Sequence, residues 1–460
     1  MEFAVIVQRQ RAFFQTGATR PIEFRRAQLE KLSAALACHE ATLLAALHTD
    51  LRKSPGQAYT SEIGFLQAEI RCAVKNLRRW TAPARCKTPW FVAPARGWTQ
   101  PEPFGVAIIL GPWNYPVQLL LTPLVSAVAA GNCVMLKPSE LVPRTAEAIA
   151  ALVRETFAEE YISVATGDAN VAEALLAERF DKIFFTGSTR VGRVVLAAAA
   201  KHLTPVTLEL GGKCPAIVCA DAAIKQAAKR IAWGKFMNAG QTCVAPDFVL
   251  VQRGVREAFV IALKKSLREF YGEDASASAD YGRIVNAQHF ARLVNYLRDG
   301  KIIHGGEQDA KDLFLAPTVL SEVLPESPVM QEEIFGPILP VLEFDNLDDA
   351  LARLRDRPTP LAFYLFTSNR ATEARVLAET RSGGACVNDV VSHMIGTSLP
   401  FGGLGESGMG AYHGRAGFDA FSHQRAVLRR ATWLDTPFRY PPERLSLRSL
   451  KRAMRFLLGD

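Results

Sequence analysis

From Phe24 to about Ala46, apolar residues recur every three or four positions through Leu29, Leu32, Leu36 and Leu43, with charges between them. That spacing predicts helix, and helix-like pattern dominates the first eighty or so residues. The next stretch, Thr81 to Gly105, is dense in Pro and aromatics and has no helical period. It reads as a linker or an edge ribbon, because prolines are excluded from the middle of a sheet. Short apolar runs bounded by Gly and Pro then alternate with helix-like segments. The runs are Val106–Leu110, Cys133–Leu136, Ile162–Ala165, Ile183–Phe185 and Val206–Leu210, with helices predicted over 145–157, 171–176 and 191–200. Buried strands separated by helices predict a parallel, doubly wound sheet. A second series starts at Ala216, with helix-like stretches at 222–238 and 255–270 and the apolar run Phe248–Val251, and predicts a second α/β domain.

Composition narrows the class. The chain has 460 residues, 49% hydrophobic and 22% charged, long enough for two or three domains around a large core. A disordered, collagen-like or coiled-coil chain is excluded. The 54 basic and 46 acidic residues leave a net charge of +8. Part of that excess sits between Glu443 and Asp460, so no broad nucleic-acid footprint is formed. The cysteines at 38, 72, 86, 133, 214, 219, 243 and 386 show no C-x-x-C spacing. Neither a disulfide scaffold nor a metal site is expected, and a reducing, cytoplasmic compartment is inferred. No apolar stretch reaches the length of a membrane span.

Candidate chemistry lies at the strand ends. Gly403-Leu-Gly405-Glu-Ser-Gly408 matches G-x-G-x-x-G but lacks a strand before it and a helix after it, so it reads as a loop. Phe185-Thr-Gly187-Ser188-Thr-Arg-Val-Gly192 has the right context: a strand, a turn that lets backbone approach a pyrophosphate, and a helix N-terminus. An ordinary βα turn would carry the same residues. Cys243, in Asn238-Ala-Gly-Gln-Thr-Cys243-Val-Ala-Pro246, differs from the other cysteines in sitting on a Gly- and Pro-bounded turn where a thiol can face a cleft. Glu209 interrupts an apolar strand, either as a functional acid or as a salt-bridged or outward-facing one. Asn114 in Pro112-Trp113-Asn114-Tyr-Pro116 is a turn, a cap or a donor. Lys137-Pro-Ser-Glu140 follows a strand at the sheet's carboxyl edge, where nucleotides bind, and Glu332-Glu333-Ile-Phe335-Gly-Pro is an acidic turn or an exposed helix end.

Taken in order, PWNYP at 112, KPSE at 137, FTGST at 185, LELGGK at 208, GQTC at 240, EEIFGP at 332 and PFGG at 400 resemble the aldehyde dehydrogenase superfamily over nearly the whole chain. GQTCVAPD around Cys243, SGMGAYHG at 407, the short N-terminus and RYPP near Arg439 are most similar to its class 3 branch, which includes fatty and aromatic aldehyde dehydrogenases. The resemblance implies a variant Rossmann cofactor domain over 1–81 and 100–210, a catalytic domain over 211–411 and a bridging, oligomerising β ribbon over 82–99 and 424–435. It implies Cys243 as nucleophile, Asn114 and the Cys243 amide as oxyanion donors, and Glu209 as general base, with Glu333 a rival or helper. A nearby base or dipole is expected to raise the thiolate fraction. For the cofactor it implies Trp113, Lys137, Glu140, Gly187, Ser188, Gly192, Leu210, Glu333 and Phe335. NAD is expected, with NADP accepted, since Glu140 should repel a ribose 2′-phosphate. A homodimer that oxidises a small-molecule aldehyde, medium- or long-chain aliphatic or aromatic, follows from the same likeness; the charge distribution implies no nucleic-acid partner.

The tail over 442–460 is separate. A helix over 446–458 would place Leu447, Leu450, Met454, Leu457 and Leu458 on one face and Arg448, Lys451, Arg452 and Arg455 beside it. Such a basic amphipathic helix is expected to rest on an anionic membrane surface or to pack on the body or partner. Two rival functions stay open: a Cys-dependent hydrolase or acyltransferase, which has no need of KPSE or FTGST, and a noncatalytic dinucleotide-binding scaffold, which has no need of Cys243 with Glu209.

Overall fold

The computed structural model describes residues 2–89, 92–435, 440–441 and 445–458. The first sheet orders its strands as Gly408–Met409, Val206–Glu209, Lys182–Thr186, Val106–Leu110, Cys133–Lys137 and Ile162–Val164. All pairs are parallel except the short Gly408–Met409 edge. Val106–Leu110 and Cys133–Lys137 are buried at every position, which is why they read as continuous apolar runs rather than alternating ones. The helix Gln118–Ala130 between them is also buried throughout and stops at Gly131, φ 96°, where a Cβ would lie 2.7 Å from the Arg25 guanidinium. The chain leaves Val106–Leu110 to one side and returns at Lys182–Thr186 on the other, so the carboxyl ends of these two strands flank the switch point of the sheet.

The second sheet runs Lys301–His304, Thr318–Ser321, Ile338–Phe344, Phe248–Gln252, Pro215–Val218, Ala362–Phe366 and Gly384–Val387, antiparallel only at its first pair. Both expected α/β series are present. The Pro-rich stretch pairs into a three-stranded antiparallel ribbon of Ala84–Cys86, Ala95–Pro103 and Ser422–Arg430. Pro101 and Pro103 fall in a central strand, but beyond the reach of the short Ala84–Cys86 strand, whose pairing ends at Thr99. One side of that segment therefore asks for no amide donor.

Two local expectations change. The early helical stretch is two helices, Ile22–Cys38 and Glu40–Leu51, broken at His39, φ −92° and ψ 3°. Leu29, Leu32, Leu36 and Leu43 are all fully buried, so the apolar spacing continues across the break and conceals it. The glycine run at 403 is a turn, with Gly405 at φ 66° bridged to Gly408, that delivers the edge strand Gly408–Met409 onto Leu208–Glu209. In the tail the helix spans Leu447–Leu458. Arg439 and Pro442 of the RYPP sequence, and the side chains of Leu457 and Leu458, lie outside the described residues.

Candidate active site

The helix Ile224–Phe236 ends in a turn where Asn238, Ala239 and Gly240 all have left-handed φ, 52°, 51° and 73°. Only Gly takes this conformation freely; a side chain there costs about 1 kcal/mol or more. A Cβ at Gly240 would lie 2.2 Å from the Gly336 carbonyl oxygen, so this turn and the Phe335 loop touch backbone to backbone. Side-chain amides compensate. Asn238 Nδ2 donates to the carbonyls of Asn114 (2.9 Å) and Gln241 (3.2 Å). Gln241 Nε2 donates to the carbonyls of Asn238 (3.0 Å) and Arg283 (2.9 Å), and its Oε1 accepts from the Val285 amide at 3.0 Å. The loop that follows carries Cys243, half-buried, with its sulfur reached by the amides of Cys243 and Val244.

Asn114 approaches from the other domain. Its loop leaves the end of Val106–Leu110, is 3% exposed at Asn114, and crosses to the Cys243 turn, where Asn114 Nδ2 donates to the Gln241 carbonyl at 3.0 Å. One amide hydrogen remains. Tyr115 and Thr242 hydroxyls, 2.7 Å apart, tie the same two loops.

Two carboxyl groups complete the cluster. Glu209 ends the strand Val206–Glu209 and is 2% exposed, and neither carboxyl oxygen has a hydrogen-bond partner among the described residues. The salt-bridged or outward-facing alternative is therefore removed, and burial pushes its pKa well above the usual carboxylate range. Glu333 sits against Gly211, where a Cβ would come 2.0 Å from Glu333 Oε2. Only a glycine leaves room for that carboxyl. Burial, with the nearby Asp247 charge, pushes Glu333 up to about 8. Cys243 itself is pushed up to about 12, by burial first and then by Glu333 and Glu209. The expected rise in thiolate fraction is not what the resting site gives. Its two amides favour the thiolate, but burial and two carboxylates outweigh them.

The remaining candidates lie along the sheet's carboxyl edge. Lys137, 4% exposed, ends Cys133–Lys137 and donates to Glu140 Oε2 at 2.7 Å. On the other side of Val106–Leu110, Ser188 caps the helix Thr189–Ala200 by accepting from the Val191 amide, 3.4 Å. Gly187 donates to the Glu209 carbonyl at 3.0 Å, and a Cβ there would meet the Phe185 ring at 2.4 Å. Gly192 lets the helix settle on Leu210, whose Cδ2 would be 2.7 Å from a Cβ. Trp113 meets Phe335 edge-on at 5.2 Å, at the seam of the two domains. A buried lysine, a serine-capped helix N-terminus and glycines at the switch point fit a dinucleotide and its pyrophosphate. Among the described residues no cluster of metal-ligating side chains is present.

Lys213 and Asp247 close the motifs LELGGK and GQTCVAPD, but the motifs did not reveal that they hold these loops, and Lys53 and Glu62 lie outside every motif. Lys213 donates to Asp247 and to the carbonyls of Val329 (2.6 Å) and Glu332 (2.9 Å), and Asp247 Oδ1 accepts from the Ile334 amide at 2.9 Å. Lys53 and Glu62 reach the Asn114 loop from the N-terminal helices. Lys53 in LRKSPG and Glu62 in YTSEI stand among polar residues and look like ordinary surface charges, so no sequence signal marks them.

Paired α/β sheets with a cysteine turn, a crossing asparagine, one buried carboxyl and one half-buried carboxyl at their seam define an α/β enzyme. The chain belongs to the aldehyde dehydrogenase family, whose description matches residues 2–427, and is an oxidoreductase acting on the aldehyde group. It is 46% identical to aldehyde dehydrogenase family 3 member A2 of Mus musculus, covering 95% of this chain and 90% of that one. It is 45% identical to the dimeric NADP-preferring aldehyde dehydrogenase of Canis lupus familiaris, covering 95% and 97%. The substrate-bound structure of Staphylococcus aureus AldH superposes with a TM-score of 0.95 at 44% identity, over 98% of both chains. The class 3 likeness and the aldehyde dehydrogenase fold both stand.

Proposed function

We propose that the chain oxidises medium- or long-chain aliphatic or aromatic aldehydes to carboxylic acids, through a covalent intermediate on Cys243. The observation that carries this is the convergence of Cys243, the Asn114 amide, the buried carboxyl of Glu209 and the half-buried one of Glu333 from three loops and a strand end. Cys243 Sγ gives up its proton to an ionised carboxylate of the Glu209 and Glu333 pair, the two acids that act on the thiol, and bonds to the carbonyl carbon. The carbonyl oxygen takes the charge, where Asn114 Nδ2–H and the Cys243 amide donate to it, each such donor contributing about 3 kcal/mol to transition-state stabilisation. Bound NAD or NADP supplies the hydride acceptor. Loss of that hydride leaves a Cys243 thioester. Glu209, in its ionised form, takes a proton from water as the water attacks the acyl carbon, and Cys243 leaves as the acid forms.

Lys137 and Glu140 are assigned to the adenosine ribose, Gly187, Ser188 and Gly192 to the pyrophosphate region, and Trp113, Leu210, Glu333 and Phe335 to the nicotinamide side. The domain division at 1–81 with 100–210, 211–411 and the ribbon at 82–99 with 424–435 goes with that assignment. The ribbon pairing extends to Pro103 and Ser422, and Gly408–Met409 returns to the first sheet. A homodimer is supported by the likeness to the dimeric NADP-preferring aldehyde dehydrogenase of Canis lupus familiaris. A reducing, cytoplasmic setting is supported by free cysteines at all eight positions.

The tail helix Leu447–Leu458 carries Arg448, Lys451, Arg452 and Arg455 and exposes Leu447 and Met454. We propose peripheral contact with anionic membrane through it. Salt-sensitive sedimentation with phosphatidylserine vesicles is expected; equal sedimentation of a chain lacking 446–460 removes the proposal. The oxidation itself is tested by absorbance at 340 nm with NAD, NADP and an aldehyde panel, for the intact chain and Cys243→Ala. Aldehyde-dependent signal from the intact chain alone is expected. Activity surviving in Cys243→Ala refutes the nucleophile, and thioester or ester hydrolysis without a 340 nm signal favours the hydrolase.

A further inference from the structure

Lys53 and Glu62 form an ion pair in which both side chains are 0% exposed. Lys53 follows the helix Glu40–Leu51 through Arg52, whose φ is 56°. Glu62 lies on a π-helical turn, Tyr59–Ile63, a rare distortion that is frequent at functional sites. What the pair touches is specific. Lys53 Nζ donates to the Asn114 carbonyl at 2.8 Å and lies 4.0 Å from the Tyr115 ring centroid. Glu62 Oε2 accepts from the amides of Val117 and Gln118 at 2.9 and 3.0 Å, at the start of the helix Gln118–Ala130. One buried pair thus holds both ends of the Asn114 turn.

Stability does not account for it. Removing two charges from water costs several kcal/mol per ion, and apolar replacements of buried pairs are often neutral or stabilising. Other groups could satisfy one carbonyl and two amides. A charged pair adds strong, directional bonds with fixed geometry, and it acts on the residue whose side chain crosses to the Cys243 turn. We infer that Lys53 and Glu62 are positioning residues that aim the Asn114 side-chain amide at the reacting carbonyl oxygen. This rests on the oxyanion role proposed above for Asn114.

A double-mutant cycle on the full chain tests it. Lys53→Met is expected to lower kcat with aldehyde by about tenfold or more, since a misplacement on the order of 1 Å can cost a hundredfold. The Kd for NAD and the rate of Cys243 alkylation by iodoacetamide, which needs no oxyanion donor, are expected to stay within about twofold. In an Asn114→Ala background the same substitution is expected to cost less than about twofold, because the group it positions is gone. Glu62→Gln, which keeps an acceptor for Val117 and Gln118, is expected to lose less than Lys53→Met. If Lys53→Met does not fold, Lys53→Met/Glu62→Leu leaves no lone buried charge and is read the same way. An unchanged kcat, a parallel fall in alkylation, or additive losses with Asn114→Ala overturns the inference alone. An intact chain without aldehyde-dependent activity overturns the oxidation as well.

Discussion

Asp247 accepts a hydrogen bond from the amide of Ile334 at 2.9 Å, so the loop that carries the cysteine also fixes the peptide next to Glu333. Asp247 is four residues after Cys243 in the chain, and its own amide donates to the Cys214 carbonyl at 2.7 Å. Lys213 closes the clamp from the strand-end glycines, holding Glu332 on the other side of Glu333. The two carboxyl-bearing loops and the thiol are therefore one mechanical unit.

Breaking that clamp should be costly. Lys213 and Asp247 side chains are 10% and 4% exposed, and removing one partner of a buried pair leaves an uncompensated charge. Asp247→Asn is expected to lower stability by about 3 kcal/mol or more, read from urea denaturation. A loss below about 1 kcal/mol would mean that the lysine finds another partner.

Burial and the Asp247 charge push the Glu333 carboxyl up to about 8, which favours its protonated form at neutral pH and its ionised form as pH rises. If its carboxylate serves the reaction, kcat rises with pH up to about 8 to 9. Glu333→Gln is expected to abolish that limb. Persistence of the limb in this variant assigns it to another group.

Glu69 offers a stability test away from the chemistry. It is 3% exposed, accepts from the Gly414 amide at 3.1 Å, and is pushed up to about 7 by burial. Its protonated form is the one the fold favours. The associated stability is fully present below the unfolded carboxyl value of about 4.5 and is lost as pH rises through about 7. The Tm of the intact chain is expected to fall by a few degrees between pH 5 and 8, and Glu69→Gln is expected to flatten that fall, measured by calorimetry. An identical pH slope in the variant removes Glu69 as the cause.

Cofactor choice should turn on Glu140, two-fifths exposed and paired to Lys137 at 2.7 Å. On the ribose assignment proposed above, a carboxylate there would oppose a ribose 2′-phosphate while accepting from ribose hydroxyls. Glu140→Gln is expected to raise kcat/KM for NADP relative to NAD by about tenfold, read at 340 nm. An unchanged ratio places the discrimination elsewhere.

The amino-acid sequence by itself determined the alternating strands and helices, because runs such as Val106–Leu110 and Cys133–Lys137 are buried on both faces and leave no choice of pattern. It also raised Cys243, Asn114, Glu209 and Glu333 as candidates, each with an ordinary turn, cap or surface reading beside it, and only the joint order of the motifs tied them to one chemistry. Periodicity could not register the break at His39, because both helices keep apolar residues facing the core. Only the tertiary structure decided that Lys53 and Glu62 reach Asn114, and that Lys213 and Asp247 grip the Glu333 loop. These are long-range polar contacts, some between residues more than fifty positions apart, whose identity is set by which loops meet when two sheets close on one another. The same closure decides the ionisation of the thiol and the carboxyls, because burial and charge proximity are properties of the assembled seam rather than of any segment.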